Sequence, residues 1–188
     1  MKICVFCSSS ERIAEKYFRA GRLFGTELGR RGHELIYGGY GRGLMGEVAR
    51  GAFEAGACVT AVIPAIFDGE GFVYSGCSRV LKAADLHERK AVMQAESDAF
   101  AVLPGGVGTY DELFDTLALI SLGQLDMPLA VLDVDECYRP LRTLLEEGVA
   151  GGFIGEALAR RVVFHASAAE LLDDLERSVT WNATKRQL

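Results

Sequence analysis

The chain has 188 residues, of which 49% are hydrophobic, and this length and composition suit one domain with a sizeable core. Its formal net charge of −6 argues against a broad basic surface of the kind that binds nucleic acid. No apolar run comes near the roughly 18 residues of a membrane span, and the first residues form a strand-like pattern rather than a signal peptide, so we expect a cytoplasmic protein that contacts no membrane.

Strand-like and helix-like patterns alternate along the chain. Strands are predicted over residues 2–7, 34–37, 58–63, 79–81, 99–103, 127–132 and 162–164. Helices are predicted over residues 11–31, 44–55, 86–96, 138–149 and 168–179, and another through the apolar positions between 110 and 120. Residues 64–78 are expected to form a glycine-rich loop with scattered aromatic side chains. The predicted organisation is one domain over residues 1–180 and a polar tail over 181–188.

The alternation of helices with apolar, β-branched strands predicts the fold class α/β. We expect a single-domain, Rossmann-like, doubly wound parallel sheet with helices on both faces. Ligands of such sheets bind beyond the carboxyl ends of the strands. The loops at Ser8, Gly38 and Gly105 all follow predicted strands, so these loops are expected to contribute to one site.

A glycine-rich segment, LPGGVGTYDEL at residues 103–113, separates a predicted strand from a predicted helix. Glycine lets the main chain come close to a ligand, and the amides at a helix start form an anion site together with the helix dipole. We therefore expect a phosphate to bind here, at Gly105, Gly106, Val107, Gly108 and Thr109. A structural alternative stays open, because Thr109 and Glu112 also have the spacing of a capping box.

The segment DLHERK at residues 85–90 places two cations near the start of a predicted helix. Asp85 and Glu88 have capping-box spacing, so Arg89 and Lys90 lie where the helix dipole disfavours positive charge. Such a local inconsistency is typical of a functional site, and we expect the two cations to face an anionic or polar ligand. In the structural alternative, Asp85 and Glu88 neutralise them on a solvated face.

Two other loops follow predicted strands. The segment GRGLMG at residues 41–46 fits a dinucleotide pattern, but the next strand ends without the acid that would hold the ribose, so NAD or FAD is not expected. It then serves as a turn that brings strand and helix close together. In the triplet 8–10, capping of the next helix is the favoured role, with Ser8 and Glu11 at capping-box spacing, and a contact to ribose or phosphate is the alternative.

The five cysteines and three histidines do not indicate a metal site. Cys4 and Cys7 are three residues apart in a predicted strand, so their side chains point to opposite faces, and no second cysteine pair exists. Reduced, mostly buried thiols are expected. His87 is expected to be a polar surface or supporting residue, and the sequence shows neither a nucleophile elbow nor a Walker lysine.

Three motifs, in this order, resemble the signature of the Lonely Guy (LOG) family, phosphoribohydrolases that release the base from nucleoside 5′-monophosphates, notably cytokinin nucleotides. They are YGGYGRGLMG at 37–46, LHERKAVM at 86–93 and PGGVGTYDE at 104–112. The resemblance implies that Arg89 and Glu112 are the catalytic pair and that the loop with Gly38 and Gly39 lies beside the nucleotide. Tyr40 stands where the family commonly has glycine, and Leu86 where it usually has methionine.

The residues and the resemblance together predict hydrolysis of the N-glycosidic bond of a nucleoside 5′-monophosphate, without a metal or organic cofactor. Glu112 is expected to stabilise positive charge on the ribose and to activate water, and Arg89 to bind the substrate and keep Glu112 ionised. Lys90 and Ser8 are expected to bind substrate. The resemblance also implies a homodimer, which the broad apolar surface of the helix after the glycine loop favours as well.

Two alternatives come from other functional classes. One is a non-catalytic carrier of a nucleotide or a phosphorylated cofactor, and the other is a pyridoxal-phosphate lysine decarboxylase, a label that the family has often carried. The sequence leaves open whether the base is adenine or prenylated adenine, and whether the biological role is hormone activation or nucleotide salvage.

Overall fold

A single parallel sheet organises the computed structural model, which describes residues 1–67 and 71–185, the last five as backbone only. Its seven strands lie in the order β4-β3-β2-β1-β5-β6-β7. The strands are β1 Lys2–Phe6, β2 Glu34–Tyr37, β3 Val59–Pro64, β4 Arg79–Ala83, β5 Ala99–Val102, β6 Leu129–Leu132 and β7 Val162–His165. The helices are α1 Glu15–Arg30, α2 Gly43–Glu54, α3 Leu86–Ala95, α4 Val107–Ser121, α5 Arg139–Ala150, α6 Glu156–Ala159 and α7 Ala168–Lys185. Short 3₁₀ turns lie at Ala65–Phe67 and Val134–Glu136.

Helices cover both faces of the sheet, which confirms the predicted fold class. One hydrophobic core contains side chains of α1, α2 and α7, and the other contains side chains of α3, α4 and α5. The central strands are buried on both faces, as their continuous apolar sequences require. Cys4 belongs to one core and Cys7 to the other, so their side chains lie on opposite faces, as predicted.

The topological switch point of the sheet lies between β1 and β5. Strands β2, β3 and β4 add to one side of β1, while β5, β6 and β7 continue on the other side. The carboxyl end of β1 is tied to the loop after β5, because the amide of Ser8 donates to the carbonyl of Pro104 over 3.1 Å. Such a switch point opens a crevice between neighbouring strand ends, where ligands of doubly wound sheets bind.

Two helices differ from their predicted bounds by four residues or more. Helix α1 begins at Glu15 rather than at residue 11, with Ala14 as its N-cap, so the predicted capping box of Ser8 and Glu11 is wrong. Helix α7 continues past the predicted end at 179 and reaches Lys185. The helix therefore includes part of the segment that was expected to be a tail, and residues 186–188 of that tail lie outside the described residues.

Candidate functional site

A cavity of about 690 Å³ opens at the switch point of the sheet. It is bounded by the loops after β1, β2 and β5, by the starts of α3 and α4, and by part of the loop after β3. Its lining residues include Cys7, Ser8, Ser9, Ser10, Gly38, Tyr40, Met45, Pro64, Phe67, Phe72, Leu86, Arg89, Lys90, Gly106, Val107, Gly108, Thr109, Asp111 and Glu112. The fold thus brings together most of the residues that the sequence singled out as substrate-binding or catalytic.

The glycine loop delivers the start of helix α4 to this cavity. Gly106 is the N-cap, no side chain caps the helix, and Val107 is its first residue, 88% exposed. The first intrahelical bond runs from the amide of Tyr110 to the carbonyl of Gly106, over 3.0 Å. The preceding amides have no intrahelical acceptor, and a helix start of this kind attracts anions.

The capping-box alternative for Thr109 and Glu112 is wrong, because both residues lie inside the helix. Thr109 is buried, and a Cβ at Gly105 would overlap its side chain. Position 105 therefore requires glycine, because any side chain there would prevent the loop from packing on Thr109. At Gly106 and Gly108 a Cβ would meet no protein atom within 4 Å, so these two glycines border open space.

Glu112 lies one turn into helix α4 and forms an ion pair with Arg89 of helix α3. Nη1 of Arg89 is 3.2 Å from Oε1 of Glu112, and the two side chains are 12% and 5% exposed. Burial raises the pKa of Glu112 to about 7, although the charge of Arg89 works in the opposite direction. A buried carboxyl with such a pKa can exchange a proton near neutral pH.

The backbone around β2 and β3 fixes the guanidinium of Arg89. Its Nε donates to the carbonyl of Val62 over 3.1 Å, and its Nη2 lies so close to Gly38 that a Cβ there would overlap it. The next residue, Gly39, has a φ of +89°, and its carbonyl accepts a 3.1 Å bond from the hydroxyl of Tyr37. Gly38 thus gives Arg89 its place, and Gly39 turns the chain beside it.

At the start of helix α3, Asp85 is a helix cap. Its carboxylate accepts from the amides of His87 and Glu88 over 2.8 and 2.9 Å, while Glu88 accepts from the amide of Ala84. The structural alternative, in which Asp85 and Glu88 neutralise the two cations, is therefore wrong. The acidic partners of Arg89 and Lys90 belong to helix α4 instead.

Lys90 contacts two acids that the sequence interpretation had not assigned. Its Nζ lies 3.0 Å from Asp111 and 3.1 Å from Asp115. The two acids are four residues apart and hence on one face of α4, next to Glu112. These ion pairs could have been predicted from the sequence, because two cations without local partners are followed in the chain by a helix with acids on one face. The predicted role of Lys90 in binding substrate stays a prediction.

The serine loop after β1 lines the cavity without capping a helix. The hydroxyl of Ser8 accepts from the amide of Ser10 over 3.0 Å, and the hydroxyl of Ser10 accepts from the amide of Arg12 over 3.1 Å. Gly43, with a φ of +61°, lies directly against the carbonyl of Ser9. The first glycine-rich loop therefore packs on the serine loop at the rim of the site.

An aromatic wall of Tyr40, Phe67 and Phe72 faces the same cavity. The rings of Phe67 and Phe72 stack with their centroids 5.0 Å apart, and the ring of Tyr40 lies 5.0 Å from that of Phe72. The hydroxyl of Tyr40 donates to Glu11 over 3.1 Å. The sequence has aromatic residues between 64 and 78, but their spacing did not indicate a role. Residues 68–70 of that loop lie outside the described residues.

The cysteines are all unpaired thiols. Burial raises the pKa of both Cys4 and Cys7, so these two stay protonated at neutral pH. Within residues 1–67 and 71–185 no group of three or more potential metal ligands occurs. None of the helices in that part of the chain has the length and hydropathy of a membrane span.

Similarity to known proteins shows the family of this chain. The sequence model of the family described as "Possible lysine decarboxylase" matches residues 45–175. The cytokinin riboside 5′-monophosphate phosphoribohydrolase LOG5 of Arabidopsis thaliana is 39% identical over 175 residues, which cover 93% of this chain and 77% of the relative. LOG1 of the same plant, with the same enzyme name, is 38% identical and is covered to 82%. The chain belongs to the LOG family.

Solved structures agree with the observed fold of this LOG-family protein. The molybdenum cofactor carrier protein of Chlamydomonas reinhardtii superimposes with a TM-score of 0.71 over 95% of this chain and 98% of the carrier. Its sequence is 20% identical, so the likeness concerns the fold alone. The sequence-based resemblance to the LOG family and the prediction of a Rossmann-like fold are both confirmed.

Proposed function

We propose that this LOG-family protein hydrolyses the N-glycosidic bond of a nucleoside 5′-monophosphate to a free base and ribose 5-phosphate. The observation that carries the proposal is the buried pair of Arg89 and Glu112, one helical turn from an uncapped helix start that borders open space. The names of relatives at 38–39% identity describe this reaction on cytokinin nucleotides.

The start of helix α4 is suited to hold the phosphate. Its first amides lack intrahelical acceptors, its dipole favours an anion, and Gly106 and Gly108 leave room for the phosphate to approach the backbone. Ser8 and Thr109 also line the cavity. Binding a group remote from the reacting carbon lets the enzyme use that binding energy to place the ribose against Glu112.

Glu112 is suited to act at the ribose. Cleavage of the glycosidic bond develops positive charge on the sugar, and a carboxylate close to that charge stabilises it. The pKa of about 7 also makes Glu112 an effective acceptor for a proton of the attacking water. Arg89 opposes the effect of burial on this pKa and so favours the ionised form. The base of the nucleotide then stacks on the aromatic wall, because aromatic side chains bind bases in this way.

The decarboxylase alternative does not fit the site. Pyridoxal-phosphate chemistry needs a lysine amine that is free to form a Schiff base. Of the described residues that line the cavity, Lys90 is the one lysine. Its amine lies 3.0 Å from the carboxylate of Asp111 and 3.1 Å from that of Asp115. Burial opposes its charge, but the bonds to Asp111 and Asp115 prevail and raise its pKa, so the amine stays protonated. The carrier alternative is supported by fold likeness alone.

We also propose that the active form is a cytoplasmic homodimer. Large apolar side chains of α4 and its C-cap remain exposed in the single chain, among them Phe114 and Leu122. A second copy can cover them.

The test is to incubate the purified protein with AMP and with isopentenyladenosine monophosphate and to measure free base and ribose 5-phosphate. Glu112→Gln keeps the size of the side chain but removes the charge, so kcat should fall by ~10² or more with little change in fold stability. Near-normal turnover of Glu112→Gln would refute the assigned role of Glu112. Nucleotide binding without release of any base would favour the carrier alternative.

A further inference from the structure

Lys90 connects helix α3 to helix α4 with all of its hydrogen-bonding capacity. Its Nζ lies 3.1 and 3.0 Å from the two carboxylate oxygens of Asp111 and 3.1 Å from Oδ1 of Asp115. An ammonium group has three donors, and three such contacts occupy them. The side chain of Lys90 is only 9% exposed, so its charge is balanced by α4 rather than by solvent.

Gln94, one turn further along α3, extends this connection. Its Nε2 donates to Oδ2 of Asp115 over 2.8 Å and lies 3.4 Å from Oγ1 of Thr116. The hydroxyl of Thr116 in turn donates to the carbonyl of Glu112 over 2.9 Å. The polar contacts of α3 therefore reach the backbone of the residue that carries the catalytic carboxylate.

We propose that Lys90 is a positioning residue, which clamps helix α4 to helix α3 through Asp111 and Asp115 and thereby holds Glu112 opposite Arg89. The inference rests on the proposed hydrolysis. Lys90 follows Arg89 in the chain and Asp111 precedes Glu112, so the two ion pairs join the same two helical turns. A change in the distance between Lys90 and Asp111 therefore also changes the distance between Arg89 and Glu112.

This role differs from direct binding of the phosphate. A phosphate ligand needs donors that point to the substrate, whereas the donors of Lys90 are engaged by Asp111 and Asp115. Loss of a phosphate ligand weakens substrate binding, but loss of a clamp misplaces Glu112 in the bound complex. The first raises KM, and the second lowers kcat.

Lys90 also contributes to the charge balance around Glu112. The titratable groups that face Glu112 are Arg89 and Lys90 of α3, Asp111 of α4, and Cys4 and Cys7 at β1. Without Lys90, the charge of Asp111 is unopposed, so Glu112 should hold its proton to a higher pH. Without the charge of Asp111, Glu112 should release its proton at a lower pH.

The variant Lys90→Met, which keeps the aliphatic stem but removes the charge, tests the clamp. With AMP as substrate, we expect kcat to fall by about 10-fold or more and KM to stay within about 2-fold, because the reacting groups are misplaced while the phosphate site is intact. The acid limb of the pH profile should move to higher pH. A KM that rises while kcat holds, or no change in either, would overturn the proposal.

Further measurements separate this role from a general loss of stability. Asp115→Asn weakens one arm of the clamp and should also lower kcat at constant KM, and thermal unfolding shows whether each variant is folded. Lys2→Met is the matched control, since Lys2 pairs with Glu96 at the amino end of the sheet and should leave kcat unchanged.

A measurement without turnover keeps the clamp distinct from the proposed reaction. In protein labelled with ¹³C at glutamate carboxyls, the Glu112 resonance is assigned by its loss in Glu112→Gln. Its titration should move to higher pH in Lys90→Met and to lower pH in Asp111→Asn. Identical titrations in all three proteins would overturn the inference even if the wild type hydrolyses AMP. An inactive wild type in which the titration moves as expected would refute the hydrolysis and support the ion pairs through which Lys90 and Asp111 act on Glu112.

Discussion

The position of the Arg89 guanidinium depends on the absence of a side chain at Gly38. A Cβ at Gly38 would overlap Nη2 of Arg89, and this atom is the end of a flexible side chain that can move aside without unfolding the sheet. We therefore expect Gly38→Ala to leave the unfolding temperature nearly unchanged. Its kcat/KM for AMP should fall by ~10²-fold, because a displacement of about 1 Å in a catalytic group has an effect of that size.

The matched control for Gly38→Ala is Gly155→Ala. A Cβ at Gly155 would meet no atom within 4 Å, and its φ of −68° suits alanine, so this variant should retain full activity. Steady-state kinetics and thermal unfolding of both variants decide the matter. Wild-type activity in Gly38→Ala would show that Arg89 does not need its observed position.

For individual residues, the sequence predicted the candidate pair but not the contacts that hold its side chains in place. Arg89 and Glu112 were recognisable from motifs, whereas their contact joins two helices that are separated in the chain by β5. The spacing of Thr109 and Glu112 also satisfied a local rule for capping. That rule failed because Gly106 already begins the helix and because Glu112 pairs with Arg89 instead. Local spacing cannot decide between a local and a distant partner.

Among the secondary-structure elements, the start of helix α4 gives the most direct test of the phosphate site. Gly108 lies in the helix and borders open space, so Gly108→Ala should stabilise the protein by up to about 1 kcal/mol through helix propensity. The same methyl group should raise KM for AMP by roughly 10-fold, since it stands between the backbone and the phosphate. Gly106→Ala should raise KM as well.

Adenosine is the internal control for these glycine variants, because it lacks the phosphate. The wild type should turn over adenosine poorly, and the two substitutions should change that low rate little. Equal turnover of adenosine and AMP by the wild type would refute the assignment of the phosphate to α4. Denaturant unfolding measures the opposite effect of Gly108→Ala on stability.

The element boundaries show where sequence patterns lose precision. Hydrophobic periodicity placed the buried strands and the long helices, since burial of one face dictates that periodicity. The start of α1 was predicted four residues too early, because the hydroxyls of Ser8 and Ser10 accept bonds from nearby amides and hold a loop instead of a helix. Serine favours both turns and caps, and only the surrounding packing selects one.

For the whole molecule, the alternation of strands and helices was sufficient to predict a parallel sheet, but not its strand order. The order places β1 beside β5, and the site exists because these two strand ends are neighbours. The aromatic wall was not predictable, because Phe67 and Phe72 lie in a segment without periodicity and their ring contacts depend on the folded loop. The sequence thus predicted two candidate residues that the fold does bring together, Arg89 and Glu112, but not the aromatic side chains that line the same cavity.

The exposed apolar side chains of helix α4 favour association with a second copy of the chain. Within one chain, the buried stripe of α4 faces the sheet, while Phe114 is 37% and Leu122 is 70% exposed. Light scattering at micromolar concentration should give about twice the chain mass of 20.3 kDa, or a larger multiple, because burying such apolar side chains favours association.

A charge at this surface distinguishes a dimer formed through α4 from one formed elsewhere. Leu122→Glu should shift the protein towards the monomer, because a carboxylate in an apolar interface has to be desolvated. Leu23→Glu on α1, where the leucine is similarly exposed at 65%, should leave the mass unchanged. If catalysis needs the closed interface, Leu122→Glu also loses activity on AMP at low protein concentration and regains it at high concentration. A wild-type monomer with full hydrolytic activity would show that neither the apolar surface nor the reaction requires a second copy.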